Sequence, residues 1–86
     1  MTGMLWFDNT KLDLLEKLRR AAEYYQRKYS QPAQVVLVST KTLSLAGPAD
    51  YSSLPFLVKS YPLPLNHFCA GRDDGEEYLR LTHEPK

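Results

Sequence analysis

The 86-residue sequence predicts an α+β fold, and three observations carry that assignment. The stretch 10–29 has the apolar repeat of a surface helix. About four β-rich runs follow it between 34 and 82. Helix and strands are therefore segregated along the chain, the signature of a helix laid on one face of a mainly antiparallel sheet. One domain is expected over 1–86, with an N-terminal arm at 1–9, one long N-terminal amphipathic helix at 10–29 and a sheet region at 34–82. The expected sheet is small, with three to four strands and a C-terminal β-hairpin.

The arm ends in Met4-Leu5-Trp6-Phe7, whose large rings favour packing on the core over exposure. Asp8, Asn9 and Thr10 can each cap a helix, and Thr10 with Asp13 imitates a capping box. From Lys11 the apolar residues Leu15, Leu18, Ala22, Tyr25 and Tyr29 recur at steps of three and four, and Leu14 and Ala21 widen the stripe. Asp13, Glu16, Lys17, Arg20, Glu23 and Arg27 occupy the opposite face. They form three i,i+4 pairs with the acid first, the more favourable order. Pro32 forbids continuation, so the helix closes at Lys28 or Tyr29.

Gln34 to Val38 is short, β-branched and apolar on both faces, which predicts an interior strand. Thr40–Pro55 contains Gly47-Pro48 and little periodicity. It is expected to be a connection with a short helical turn near Lys41–Leu45 or Ala49–Ser53, and its length permits a crossover between parallel strands. Phe56–Tyr61 alternates as a second strand until Pro62 and Pro64 interrupt it. Leu65–Gly71 and Glu76–Thr82 complete the set. Asp73-Asp74-Gly75 between them predicts a tight hairpin turn.

Composition narrows the function. With 43% hydrophobic residues and a net charge of +1, the chain is neither a disordered tail nor a binder of nucleic acid by bulk charge. One cysteine, Cys69, excludes an internal disulfide. The longest apolar run, Val35–Val38, is far below the roughly 20 residues of a membrane helix. The N-terminus lacks the pattern of a signal peptide, so a cytoplasmic, non-membrane protein is expected.

No phosphate loop, zinc-type spacing or nucleophile elbow occurs. No metal, cofactor or catalytic constellation is expected. Cys69 and His67 share a strand face, but side chains two apart are about 7 Å from each other, too far for an activated thiol. Asp73, Asp74, Glu76 and Glu77 suit a solvated turn better than a calcium loop. Asn66 and His67 form a candidate polar site beside the proline-bounded bend.

Charge is polarised along the chain. Residues 11–28 carry six basic and three acidic side chains, whereas 71–86 carry three basic and five acidic ones. The expected function is a non-enzymatic protein–protein interaction module, self-associating as a homodimer. Its candidate surface is Trp6, Phe7, Arg20, Tyr24, Arg27, Tyr61 and Tyr78, rich in the residue types of interface centres. Nucleic-acid binding on the basic helix face is the alternative, disfavoured because acids interleave there. A small enzyme using His67 with Cys69 or the turn acids ranks third.

The segments Ala21-Ala22-Glu23-Tyr24-Tyr25, Lys28-Tyr29, Pro32 and Val35-Val36-Leu37-Val38, followed by Leu63-Pro64-Leu65-Asn66-His67-Phe68 and Gly71, resemble short bacterial proteins of uncharacterised function. The likeness spans the middle two-thirds of the chain. It implies no activity, ligand or site residue.

Overall fold

The computed structural model describes residues 1–73, 75 and 79–81. Its first element corrects the expected N-terminal arm. Thr2–Phe7 is strand β1, paired residue for residue with Arg72–His67 of strand β4 (His67–Arg72). Apolar side chains on both faces conceal the alternation in the sequence. Met4 and Trp6 face the helical layer, while Leu5 and Phe7 face away.

Helix α1 spans Leu14–Tyr29 and is capped by Asp13, whose Oδ1 accepts the Glu16 amide at 2.9 Å. Thr10 is not the cap. Its amide and hydroxyl both donate to Asp8 Oδ1, at 2.9 and 2.6 Å, so the 8–10 segment forms its own turn before the helix begins. The helix ends at Ser30, which adopts left-handed φ 58 and returns its N–H to Gln26. Of the three acid–base pairs expected along the helix, Glu16–Arg20 forms at 3.6 Å, with Arg19 also 3.9 Å from Glu16.

Strand β2 (Val35–Ser39) is buried throughout, as its two-faced apolar run predicts. Helix α2 (Thr40–Ala46) follows directly and is longer than the single turn expected. It belongs to the crossover that returns the chain to β3 (Leu57–Tyr61), which pairs parallel with β2. Strand β4 then inserts between β2 and β1, antiparallel to both.

The last strand, β5 (Arg80–Leu81), overturns the C-terminal hairpin. It pairs parallel with Thr2 and Gly3 of β1, because β1 already occupies the flank of β4 that a hairpin would need. Gly75 does turn the chain, with φ 83 and its amide on Asp73 Oδ1. The remaining turn and strand residues, Asp74, Glu76, Glu77, Tyr78 and Thr82, lie outside the described residues. The order β3-β2-β4-β1-β5 is thus a mixed sheet, with two parallel and two antiparallel junctions, rather than a mainly antiparallel one.

Both helices pack on one sheet face. There Phe68, Leu18, Val36 and Val38 are fully buried with Met4, Ala21, Tyr25, Leu54 and Ala70, and Leu43 of α2 joins them. On the other face Val35, Leu37 and Cys69 form a smaller cluster under Met1, Leu63 and Leu79. Among the described residues no helix is long and apolar enough to cross a membrane.

Candidate functional site

Strands β1, β2 and β3 run in the same direction, so their carboxyl ends lie at one edge of the sheet. In α/β sheets such an edge is where ligand sites form, because chain direction collects loops and helix starts there. Here β1 leads to α1 and β2 leads to α2. The amino end of β4 enters the same edge through Asn66, which adopts left-handed φ 63, a conformation asparagine tolerates. Its amide donates to Thr42 Oγ1 at 2.7 Å, and its carbonyl accepts the Asp8 amide at 3.0 Å. These two bonds tie α2, β4 and the end of β1 together.

A cleft of about 460 Å³ opens at this edge, within the range of small-molecule sites, roughly 300–1,000 Å³. Its apolar walls include Leu12, Leu14 and Leu15 on one side and Leu45, Ala46 and Ala49 on the other. Asp13, Lys17, Thr42, Tyr51 and Asn66 supply its polar lining. Lys17 is the unexpected member. The helix pattern assigns it to the solvated face, yet it is only 8% exposed. Among the described residues its ammonium forms no ion pair. The Tyr51 hydroxyl is also buried and makes no hydrogen bond.

Asp8 lies close behind. Burial works against its ionised form, but the Thr10 hydroxyl and amide, aided by the charges of Lys17 and Arg20, hold its carboxyl below the ordinary value. Asp8 is therefore a fixed anion already engaged by Thr10. The sequence does contain a signal for Lys17. It lies on the i, i+3, i+7 line from Leu14 to Ala21, so it borders the apolar stripe. For Tyr51 and Thr42 no local signal exists, because each is brought to the cleft by the crossover.

Four of the seven candidate interface residues meet on a different surface. Trp6 and Tyr24 pack in a tilted contact with ring centroids 4.7 Å apart, and Lys28 stands 5.5 Å over the Tyr24 ring. Glu16, Arg20, Glu23 and Arg27 surround these rings in a shallow depression. The Trp6 Nε1 atom is buried without a hydrogen-bond partner. Phe7 does not join them. It points from the opposite sheet face and packs on His67, with centroids 5.0 Å apart. Tyr61 ends β3 at the far side of the sheet. Tyr78 lies outside the described residues.

The candidate polar pair is split. Asn66 lines the cleft, whereas His67 faces away with Phe7 and has its Nδ1 2.9 Å from the Leu65 carbonyl oxygen. Cys69 is fully buried, and burial pushes its thiol up to about 11, slightly opposed by the N-terminal charge. At neutral pH it is a neutral thiol, the opposite of what a Cys nucleophile requires. Among the described residues no group of three or more His, Cys, Asp or Glu is placed to hold a metal ion.

A pH prediction follows from Cys69. Its folded value is raised, so the unfolded chain loses the thiol proton first. The stability is intact below the ordinary value of 9.0 and falls as pH rises from there toward 11. At about 1.4 kcal/mol per pH unit, the loss is on the order of 2–3 kcal/mol. Urea unfolding of wild type and Cys69→Ala between pH 8 and 11 checks this. Wild type should lose more stability than the variant across that interval; parallel curves would refute it.

No family model, curated protein or solved structure matches this chain.

Proposed function

We propose that this chain is a non-enzymatic interaction module that self-associates as a homodimer through the Trp6–Tyr24 face of α1. The observation that carries the reading is the order of charge on that face. Along the helix stand Glu16, Arg20, Glu23 and Arg27, all bordering the Trp6–Tyr24 ring pair. A twofold dimer presents the same patch from both subunits. With the two helices antiparallel, Glu16 meets the partner's Arg27, and Arg20 meets the partner's Glu23. All four cross-pairs are then attractive, whereas an acidic or basic partner would meet two like charges.

The surrounding chemistry supports the same occupant. Trp, Tyr and Arg are the residue types that dominate interface energetics. The buried Trp6 Nε1 already lies in a desolvated centre, with the charged side chains as its rim. The small size of the chain also favours a partner subunit, since small single cores are marginal. The interleaved acids disfavour a phosphate backbone on this face.

Charge reversal provides the test. Arg20→Glu/Arg27→Glu makes the patch wholly acidic, and Glu16→Arg/Glu23→Arg makes it wholly basic. By light scattering, each variant alone should be monomeric, wild type dimeric and the equimolar mixture dimeric. Trp6→Ala should weaken the wild-type dimer by about 2 kcal/mol or more, roughly thirtyfold. A wild-type monomer at high micromolar concentration overturns the homodimer. A dimer unaffected by both charge reversals overturns this interface.

A further inference from the structure

The cleft at the carboxyl ends of β1 and β2 has chemistry that self-association does not use. Lys17 is more than nine-tenths buried and lines it without an ion pair among the described residues. Its stem is buried while its ammonium is the one cation among the described residues lining the cleft, so an anion placed there meets an opposite charge without displacing an ion pair. The Tyr51 hydroxyl is a second buried group with an unused donor. Two polar groups that both lack a partner, set in one concave apolar site, are the pattern of a ligand site.

The remaining walls define the ligand. Leu12, Leu45, Ala46 and Ala49 offer an apolar track, with Leu45 78% exposed, so an aliphatic chain laid there is removed from water. Asp13 also lines the cleft, and Asp8 adds a second fixed negative charge near Lys17. Those carboxylates oppose a ligand carrying two or more negative charges. A monoanion with an apolar body is opposed least, because its single charge pairs with Lys17 and its chain lies on the apolar walls.

We infer that this cleft binds a small aliphatic monocarboxylate, with its carboxylate on Lys17 and the Tyr51 hydroxyl and its chain along Leu12, Leu45 and Ala49. The carboxylate accepts a charge-assisted hydrogen bond from the ammonium, the stronger class of hydrogen bond, and a second from the phenol once the Tyr51 side chain turns its buried hydroxyl into the cleft. Binding requires neither covalent chemistry nor a cofactor. The site is separate from the Trp6–Tyr24 patch, so the two readings stand or fall independently.

Titration of the full chain with octanoate, 1-octanol and inorganic phosphate, followed by amide NMR, tests the inference. Octanoate should shift the amides of Lys17, Thr42, Tyr51 and Asn66. Octanol, with the same chain and no charge, and phosphate, with charge and no chain, should each bind at least about tenfold more weakly. Lys17→Met should remove the preference for octanoate over octanol, and Tyr51→Phe should weaken octanoate several-fold. The Arg20→Glu/Arg27→Glu variant should bind octanoate as wild type does. Absence of octanoate shifts in the cleft overturns the proposal, and so does equal binding of octanoate and octanol. If Lys17→Met does not fold, the octanol comparison and Tyr51→Phe still decide the question.

Discussion

Truncating Phe68 to alanine should lower the unfolding free energy by about 3–5 kcal/mol. Phe68 is fully buried on the central strand β4, where it pairs with Trp6 of β1 on one side and Val38 of β2 on the other. It belongs to the cluster that joins α1 to the sheet, with Leu18, Ala21 and Tyr25 from the helix. Removing the ring leaves a cavity bordered by both layers, which a five-strand sheet cannot collapse around without breaking pairs. A domain of this length has a total stability on the order of 4–13 kcal/mol, so the variant should sit near its unfolding threshold. Phe68→Leu keeps most of the volume and should cost under about 1.5 kcal/mol. Urea unfolding measures both. A cost below about 1 kcal/mol for the alanine variant would show that Phe68 is not the junction of the two layers.

The second large effect is expected from Gly71→Ala. Gly71 pairs with Gly3 across β1 and β4. A Cβ on Gly71 would collide with the Thr2 carbonyl oxygen and lie 2.6 Å from Gly3 Cα and 2.9 Å from Thr2 C. All three atoms are backbone, so no rotamer change relieves the contact, and β1 must separate from β4. The cost should reach the upper part of the roughly 1–3 kcal/mol range of overpacking, or exceed it. Gly47→Ala is the contrast. Nothing lies within 4 Å of its Cβ, and only its backbone, φ 77 and ψ −175, resists a side chain, at about 1–3 kcal/mol. Hydrogen exchange should show protection lost along Thr2–Phe7 in the Gly71 variant and retained in the Gly47 variant. Protected β1 amides in Gly71→Ala would refute the close approach.

Much of this architecture is legible in the sequence. The steps of three and four from Leu15 to Tyr29 place α1 and its buried stripe, because helical periodicity is a local property. Val35–Val38 reads as an interior strand because both its faces are apolar. The length of the 40–55 connection permits the parallel β2–β3 pair. Three features escaped. Strand β1 has no alternation of its own and becomes a strand only when β4 supplies a partner. Strand β5 pairs with β1 rather than β4, a choice between flanks that turn residues cannot express. Lys17 looks solvated on the helical wheel, yet it is largely buried and lines a cleft with Thr42 and Tyr51 of the crossover.

The two proposed sites divide in the same way. On α1, the alternation of Glu16, Arg20, Glu23 and Arg27 is written in the sequence, while Trp6 reaches Tyr24 only because β1 lies beside the helix. The cleft has no sequence signature, since its residues come from α1, α2, the crossover and the entry to β4. By itself the sequence determined the α+β class, an amphipathic helix ending at Tyr29, the β2 strand and the balance of charge, all of which depend on spacing over a few residues. Only the tertiary structure decided the mixed strand order, the close Gly3–Gly71 crossing and the burial of Lys17. Each of those depends on which distant segments compete for one strand flank or one helix face, and that competition is settled by packing across the whole chain.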